Sequence, residues 1–92
     1  MGNQHRETPA SLTPGWPEAS SPDSAAETAR VFANALRDAI GNRSVRSVAS
    51  SAGLDEATVR RVLTGDAWPD LRTVARLEDA LLRPLYPRWG DA

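Results

Sequence analysis

Apolar residues recur at helical spacing in four separate stretches of this chain. The first stripe consists of Ala29, Phe32, Leu36 and Ile40. Ser24 and Glu27 stand before it with the spacing of a capping box, in which each side chain satisfies a free backbone amide of the other residue. Gly41 follows the stripe and can end a helix in a backbone conformation that other residues avoid. The pattern therefore predicts a first helix that begins at Ser24 and ends before Gly41.

A second, shorter helix is predicted just downstream. Ser44 is a suitable N-cap for it, and the helix is expected to end at Ser51. Ala49 is small enough to let another helix cross close by. Gly53 then falls where the helix must stop, because a left-handed backbone costs glycine nothing. The sequence thus predicts a short helix followed by a tight turn.

The third pattern places apolar and polar side chains on opposite sides of a short helix. Asp55 is the predicted N-cap, the helix runs from Glu56 to about Thr64, and Gly65 ends it. The inner side is formed by Val59, Val62 and Leu63. The outer side is formed by Glu56, Ala57, Arg60, Arg61 and Thr64. This outer side is the candidate recognition surface.

A fourth helix is predicted after the Trp68-Pro69 loop. Asp70 is its expected N-cap, and Pro84 breaks it. Its inward-facing positions are expected to be Leu71, Val74, Leu77 and Leu81. The segment that follows is too short for a full helix, so its apolar residues are expected to fold back on the bundle or to form a small dimer contact. These residues are Leu85, Tyr86 and Trp89.

Together the four patterns predict an all-α fold with a flexible N-terminal arm. Residues 1–23 contain four of the seven prolines and few large apolar side chains, so they are expected not to pack. Residues 24–89 are expected to form a compact bundle of four helices, with or without a short fifth turn, and residues 90–92 a C-terminal tail. Trp16 is the exception in the arm, and it either docks on the domain or a partner or stays exposed.

The run from Ser44 to Leu81 resembles a known family. SVRSVASSAGLDEATVRRVLTGDAWPDLRTVARLEDAL is similar to the helix-turn-helix core of phage-repressor-like (Cro/CI or XRE family) DNA-binding domains. The resemblance implies that the helix beginning at Glu56 enters the major groove of double-stranded DNA. It also implies a transcriptional regulator, with repression as its expected action, that binds as a homodimer to half-sites about one helical turn, roughly 34 Å, apart.

Base readout is then expected from the outer side of the third helix. By the resemblance, the residues that meet bases are Glu56, Ala57, Arg60 and Arg61. An arginine fork matches the two acceptors on the major-groove edge of guanine. Glu56 could accept from cytosine, or it could simply complement the positive end of its own helix. Arg60 and Arg61 could equally be ordinary solvent-facing residues of a helix.

Contacts to the DNA backbone are expected around this helix. The candidates are Arg43, Ser44, Arg46, Thr58, Thr64 and Arg72. Arginine supplies charge to phosphate, and hydroxyls and helix N-terminal amides supply hydrogen bonds.

The overall charge favours a second interpretation. Eleven arginines and no lysine oppose twelve acids, giving a net charge of −1, although residues 43–64 alone carry +2. Val45 stands where relatives often have a glutamine that contacts the DNA backbone, and Asp66 and Asp70 make the next loop acidic. The alternative is therefore a protein-interaction module on the same scaffold, such as an anti-repressor, an antitoxin-like protein or a polymerase-associated adaptor. Its candidate contact residues are Trp16, Trp68, Tyr86 and Trp89.

Other classes of function find little support in the composition. The only histidine, His5, lies in the arm, cysteine is absent, and no glycine-rich phosphate loop occurs, so no catalytic residue, metal site or cofactor is predicted. The chain has no apolar run of the roughly 20 residues that a membrane-spanning helix needs, and its polar start lacks the core of a signal peptide. We expect a cytoplasmic protein without a membrane contact.

Trp68 is expected to plug the bundle, to stack on a sugar or to meet a partner.

Overall fold

Helices account for most of the described backbone. The computed structural model describes residues 7–87, which contain no β-strand and four α-helices: α1 (Ser24–Ile40), α2 (Val45–Ala52), α3 (Glu56–Thr64) and α4 (Leu71–Leu81). Helix α3 packs against α1 and α2, and α2 also packs against α4. The predicted all-α bundle of four helices is confirmed.

One apolar core joins the four helices. Its fully buried side chains are Phe32 and Leu36 of α1, Val48 of α2, Val59 of α3 and Leu77 of α4. Ala49 is also buried, which agrees with its expected role of letting α2 and its neighbours approach closely. Burial of these side chains supplies the main force that holds the helices together.

Helix α1 begins where the sequence predicts, but its cap is different. The N-cap is Asp23 rather than Ser24, and the Asp23 carboxylate accepts a hydrogen bond from the Ala26 amide at 2.9 Å. The Glu27 carboxylate does not close a capping box with Ser24. It accepts instead from the Ser21 amide at 2.8 Å and pairs with Arg30, because the chain before the helix turns back toward it.

The N-caps predicted for α2 and α4 are confirmed. The Ser44 hydroxyl accepts from the Ser47 amide, and the Asp70 carboxylate accepts from the Thr73 amide. The latter hydrogen bond lowers the pKa of Asp70, since it stabilises the charged form. Helix α2 extends one residue beyond its expected end, to Ala52, and Gly65 follows α3 with φ of 78°. These residues fix where the helices of the motif begin and end.

Leu71 contradicts the expected inner face of α4, since its side chain is 80% exposed. At about 100° per residue, Leu71 lies roughly 110° away from the centre of the buried stripe, although it is only three residues before Val74. Thr73 takes the inward position instead and is buried together with Val74 and Leu77.

Residues 7–23 differ from the expected flexible arm. They form a series of turns that pack on the bundle, with Pro9 and Thr13 fully buried. The carbonyl of Pro17 accepts hydrogen bonds from Arg30 and Asn34 of α1. Composition alone predicted disorder because this segment has few apolar groups, but its backbone is held by polar side chains of α1. Residues 1–6, including His5, lie outside the described residues.

The chain after α4 turns back onto the bundle. Leu85 is buried, as expected, and its amide donates to the Glu78 carboxylate at 2.6 Å. Tyr86 is 42% exposed. Trp89 and the tail at residues 90–92 lie outside the described residues. No helix within residues 7–87 combines the length and the apolar character needed to cross a bilayer.

Candidate nucleic-acid interface

A three-residue connection between α2 and α3 sets the angle at which the two helices meet. Gly53 ends α2 in the left-handed conformation, with φ of 69° and ψ of 35°. The next amide, that of Leu54, donates back to the Ala49 carbonyl at 2.9 Å and so closes the turn. Asp55 occupies the N-cap position of α3, but its side chain makes no capping hydrogen bond. The carboxylate predicted to cap α3 therefore contributes only its charge near the helix N-terminus.

The inner side of α3 is locked into the core. Val59 is fully buried and Val62 almost so, and both belong to the same cluster as Val48 of α2 and Phe32 of α1. Because turning α3 about its axis would expose these buried valines to water, their burial holds the rotation of the helix. The rotation in turn determines which side chains α3 presents to solvent.

The outer side of α3 carries the predicted base-reading residues. Ala57, Arg60 and Arg61 are exposed, and Glu56 is half-buried. The structure thus brings together the four candidates on one accessible face, and it places the two arginines on the side opposite Val59 and Val62.

Glu56 lies between two arginines. Its carboxylate accepts from Arg60 Nε at 2.8 Å, one helical turn further along α3, and it lies 3.6 Å from Arg46 Nε of α2. The hydrogen bond from Arg60, together with the positive charge of Arg46, lowers the pKa of Glu56. An ion-paired cluster therefore connects the outer faces of α2 and α3. The spacing of Glu56 and Arg60 is the sequence signal for it, since residues four apart on a helix are neighbours.

Arg61 differs from Arg60 in having no such partner. Its guanidinium makes no hydrogen bond or ion pair with any residue between positions 7 and 87. An arginine fork that is not engaged within the protein keeps all of its donors for a ligand. Arg61 is therefore the cation of α3 that is most available to an acceptor outside the protein.

The predicted phosphate contacts fall into two groups. Arg43, Arg46 and Arg72 are exposed, with Arg43 just before α2 and Arg72 on α4. Three hydroxyl candidates are more constrained: Ser44 is engaged as the N-cap of α2, Thr64 donates to Asp66 at 2.8 Å, and Thr58 is half-buried. The arginines are thus freer than the hydroxyls to meet an anion.

The C-terminal end of α3 is held by groups that the sequence did not single out. The Leu63 carbonyl accepts from Trp16 Nε1 at 3.3 Å and from Arg37 Nη2 at 3.0 Å. The Gly65 carbonyl accepts from the Ala10 amide at 2.9 Å. Because these donors come from the N-terminal segment and from α1, they fix α3 relative to the rest of the molecule. Sequence spacing gives no signal for such long-range contacts.

The residues predicted to contact a partner have different surroundings in the structure. Trp16 docks on the end of α3, as one of the two expectations had it. Trp68 is 43% exposed and its indole donates to the Glu7 carbonyl at 2.9 Å, so it fills the bundle only in part. Trp68 and Tyr86 flank a groove of about 210 Å³ whose floor includes Phe32. Trp89 is not among the described residues.

Comparisons of this chain with protein-family models, with curated proteins and with solved structures found no match.

Proposed function

We propose that this protein is a sequence-specific DNA-binding regulator, most simply a repressor of the phage-repressor-like (XRE) type, that reads the major groove with α3. The observation that carries the proposal is the outer face of α3, where Ala57, Arg60 and Arg61 are exposed together while Val59 and Val62 are buried opposite them. A major groove admits one α-helix, and the side chains that it meets first are those on the solvent side of that helix.

Arg61 is the proposed base-reading residue. Its guanidinium has no partner among residues 7–87, so it can approach a guanine without first breaking an ion pair. A bidentate contact to guanine O6 and N7 discriminates by about 1–3 kcal/mol against another base. Ala57 is small and apolar, and it is suited to contact a thymine methyl group.

Arg60 and Glu56 act as a pair in this proposal. Because Glu56 accepts from Arg60, the carboxylate restricts the arginine to a narrower range of orientations. Glu56 either accepts from cytosine N4 or serves only to orient Arg60, and its negative charge limits the net attraction of this part of the surface for phosphate.

Phosphate contacts are proposed for the flanks of the motif. Arg43 and Arg46 supply charge, and Arg46 would exchange its distant pairing with Glu56 for a phosphate oxygen. Ser44, Thr58, Thr64 and Arg72 remain candidates of the second rank. As a homodimer the protein would place two copies of α3 in successive major grooves of a two-fold operator. Its place of action would be the cytoplasm.

Selection on random duplexes, followed by a salt series, tests the proposal. We expect one preferred sequence with two-fold symmetry and an affinity that falls steeply between about 50 mM and 200 mM salt, since each neutralised phosphate releases counterions. The absence of any enriched sequence, or an affinity that does not respond to salt, would contradict DNA binding.

A protein-interaction module is the second candidate, and one specific observation favours it. The groove between Trp68 and Tyr86 is apolar, and the loop beside it carries Asp66 and Asp70, which repel phosphate. Such a groove fits a single apolar side chain of a partner protein. Affinity capture from the native host with and without nuclease separates the two candidates. A protein retained after nuclease treatment, with no DNA retained before it, favours the second.

A further inference from the structure

The carbonyl groups at the C-terminal end of α3 receive their hydrogen bonds from two different sources. The last four carbonyls of any α-helix have no partner within the helix itself. Those of Arg61 and Val62 are satisfied by the chain that follows directly, through the amides of Asp66 at 2.9 Å and Gly65 at 3.3 Å. The Leu63 carbonyl accepts instead from two side chains that are distant in sequence. Directed bonds to the rest of the molecule therefore reach α3 at Leu63.

Arg37 of α1 is the stronger of the two donors to this carbonyl. Its Nη2 lies 3.0 Å from the Leu63 oxygen, whereas Trp16 Nε1 lies 3.3 Å from it. A hydrogen bond from a charged group is stronger than one between neutral groups, and a cation at the C-terminal end of a helix is favoured by the helix dipole. Arg37 is exposed, so water competes for the same bond and its net contribution to stability is small. Its direction is then the property that matters.

Asn34 holds Arg37 in place, one turn earlier on α1. Arg37 Nη1 donates to Asn34 Oδ1 at 3.0 Å, and Asn34 Nδ2 donates to the Pro17 carbonyl at 3.0 Å. The planar guanidinium of Arg37 is thus engaged through both terminal nitrogens, which fixes its orientation. The side chain of Arg37 is a fixed link between α1 and the end of α3.

Burial of the valines holds the rotation of α3 about its axis, but it does not by itself fix the tilt of the helix. The hydrophobic effect is non-directional, so Val59 and Val62 can stay buried while α3 tilts slightly. Leu63 lies about 6 Å along the helix axis from Val59. A shift of about 1 Å at Leu63 would tilt α3 by roughly 10° about Val59, whereas a binding site has to be held to within roughly 0.5 Å and 10–20°.

We propose that Arg37 is a positioning residue for recognition by α3. Its hydrogen bond to the Leu63 carbonyl sets the tilt of α3 and therefore the direction in which Arg61 projects. Arg61 has no hydrogen bond or ion pair of its own within residues 7–87, so the helix alone sets its direction. The inference rests on the proposed function for the use of this tilt. It adds a residue of α1, outside the helix-turn-helix, that controls specificity without touching a base.

Residual dipolar couplings of the backbone amides, measured on the full chain without DNA, test whether Arg37 sets the tilt. Arg37→Met keeps the apolar stem of the side chain and removes its donors. We expect α3 to tilt by roughly 10°, or its couplings to shrink through motion, while α2 and α4 keep their wild-type orientation. Arg83→Met, which removes an equal charge at an exposed position after α4, is the control and should leave all four helices unchanged. Wild-type couplings for α3 in Arg37→Met would overturn the proposal.

A double-mutant cycle with Arg61 tests whether the tilt acts on recognition. On the duplex selected by wild type, Arg37→Met should weaken binding at least about threefold, but by less than about 1.5-fold in a chain that already carries Arg61→Ala. Arg83→Met should have little effect in either chain. An unchanged affinity of Arg37→Met would overturn the positioning role. An equal loss in both chains and on random DNA would overturn it as well, because a direct phosphate contact behaves in this way.

The two measurements separate this inference from the proposed function. A wild-type chain that selects no duplex contradicts the proposed function, and the dipolar couplings still decide whether Arg37 sets the tilt of α3. A wild-type chain that selects a duplex, together with an Arg37→Met variant that binds and tilts like wild type, contradicts the positioning role alone.

Discussion

At Gly65 the end of α3 and the N-terminal segment, residues 7–23, lie in close contact. Gly65 ends α3 with φ of 78°, and a Cβ built on it would lie 2.6 Å from Trp16 Cε2 and 2.8 Å from Ala10 Cβ. Glycine is therefore needed here for two separate reasons, the left-handed backbone and the approach of the N-terminal segment. The Trp16 and Ala10 contacts involve packed atoms that cannot move independently of that segment.

Gly65→Ala should destabilise the protein by about 2–4 kcal/mol, as the sum of conformational strain and overpacking. Gly53→Ala is the matched control, since Gly53 has a similar backbone with φ of 69° but its Cβ would meet only the flexible end of Arg76. We expect Gly53→Ala to lower the free energy of unfolding by only about 1 kcal/mol in urea denaturation. Equal losses in the two variants would show that the packing of Trp16 on Gly65 is absent.

Glu27 predicts a measurable pH dependence. Its hydrogen bonds from Arg30 and from the Ser21 amide lower the pKa of its carboxyl from 4.5 to about 2. A carboxyl with a lowered pKa contributes stability above its unfolded pKa, and this contribution is lost as the pH falls toward the folded value. Glu27 is about one third exposed, so screening by solvent limits its contribution to about 1 kcal/mol.

Glu27→Gln should therefore unfold at a lower temperature than wild type at pH 7, and the difference should shrink as the pH falls from 4.5 toward 2. Thermal unfolding followed by circular dichroism across this range measures it. A difference that stays constant with pH would mean that the ion pair with Arg30 does not contribute through the charge of Glu27.

At the scale of elements, α3 depends on a segment far from it in sequence. Trp16 and Ala10 donate to carbonyls at the C-terminal end of α3, and Pro9 and Thr13 are fully buried in the same segment. A chain that begins at Pro22 keeps Asp23, the N-cap of α1, but loses all of these contacts. We expect it to unfold at least about 10 °C below a chain that begins at Glu7, which corresponds to about 2–4 kcal/mol of lost burial and hydrogen bonding. Similar unfolding temperatures for the two chains would contradict a structural role for residues 7–21.

The ends of the helices were predicted well because the residues that set them act locally. Gly53, Gly65 and Asp70 act through their own backbone or the next turn, and each lies where the sequence placed it. The cap of α1 was misplaced by one residue, since Asp23 and Ser24 are both good caps and only the path of the preceding chain selects between them. Leu71 was predicted to face inward because it lies three residues before Val74. That spacing alone does not show how wide the buried stripe of α4 is.

The candidate site was predictable in its residues but not in its connections. Burial of Val59 and Val62 follows from helical periodicity, and so does exposure of Arg60 and Arg61. The hydrogen bonds that hold the end of α3 join residues 26 and 47 positions apart, and no periodicity encodes them. Composition likewise predicted a flexible segment at residues 1–23. A prediction from composition counts apolar groups and does not include the polar groups of α1 that bind the Pro17 carbonyl.

For the molecule as a whole, the question is whether a protein with a net charge of −1 binds DNA through one basic surface. Residues 43–64 carry +2, whereas residues 1–42 carry −2 and residues 65–92 carry −1. This distribution predicts weak binding to random DNA and a large share of affinity from direct base contacts. Electrostatic attraction alone would not retain the protein on DNA at physiological salt.

Affinities of Arg61→Ala for the selected operator and for a random duplex, measured at one salt concentration, test the role of α3 most directly. The account predicts a loss of at least tenfold on the operator, from the bidentate guanine contact, and a loss of no more than about threefold on random DNA. Arg83→Ala, which removes an equal charge after α4, should change both affinities little. Equal losses on the two duplexes, or no loss on the operator, would contradict base readout by the outer face of α3.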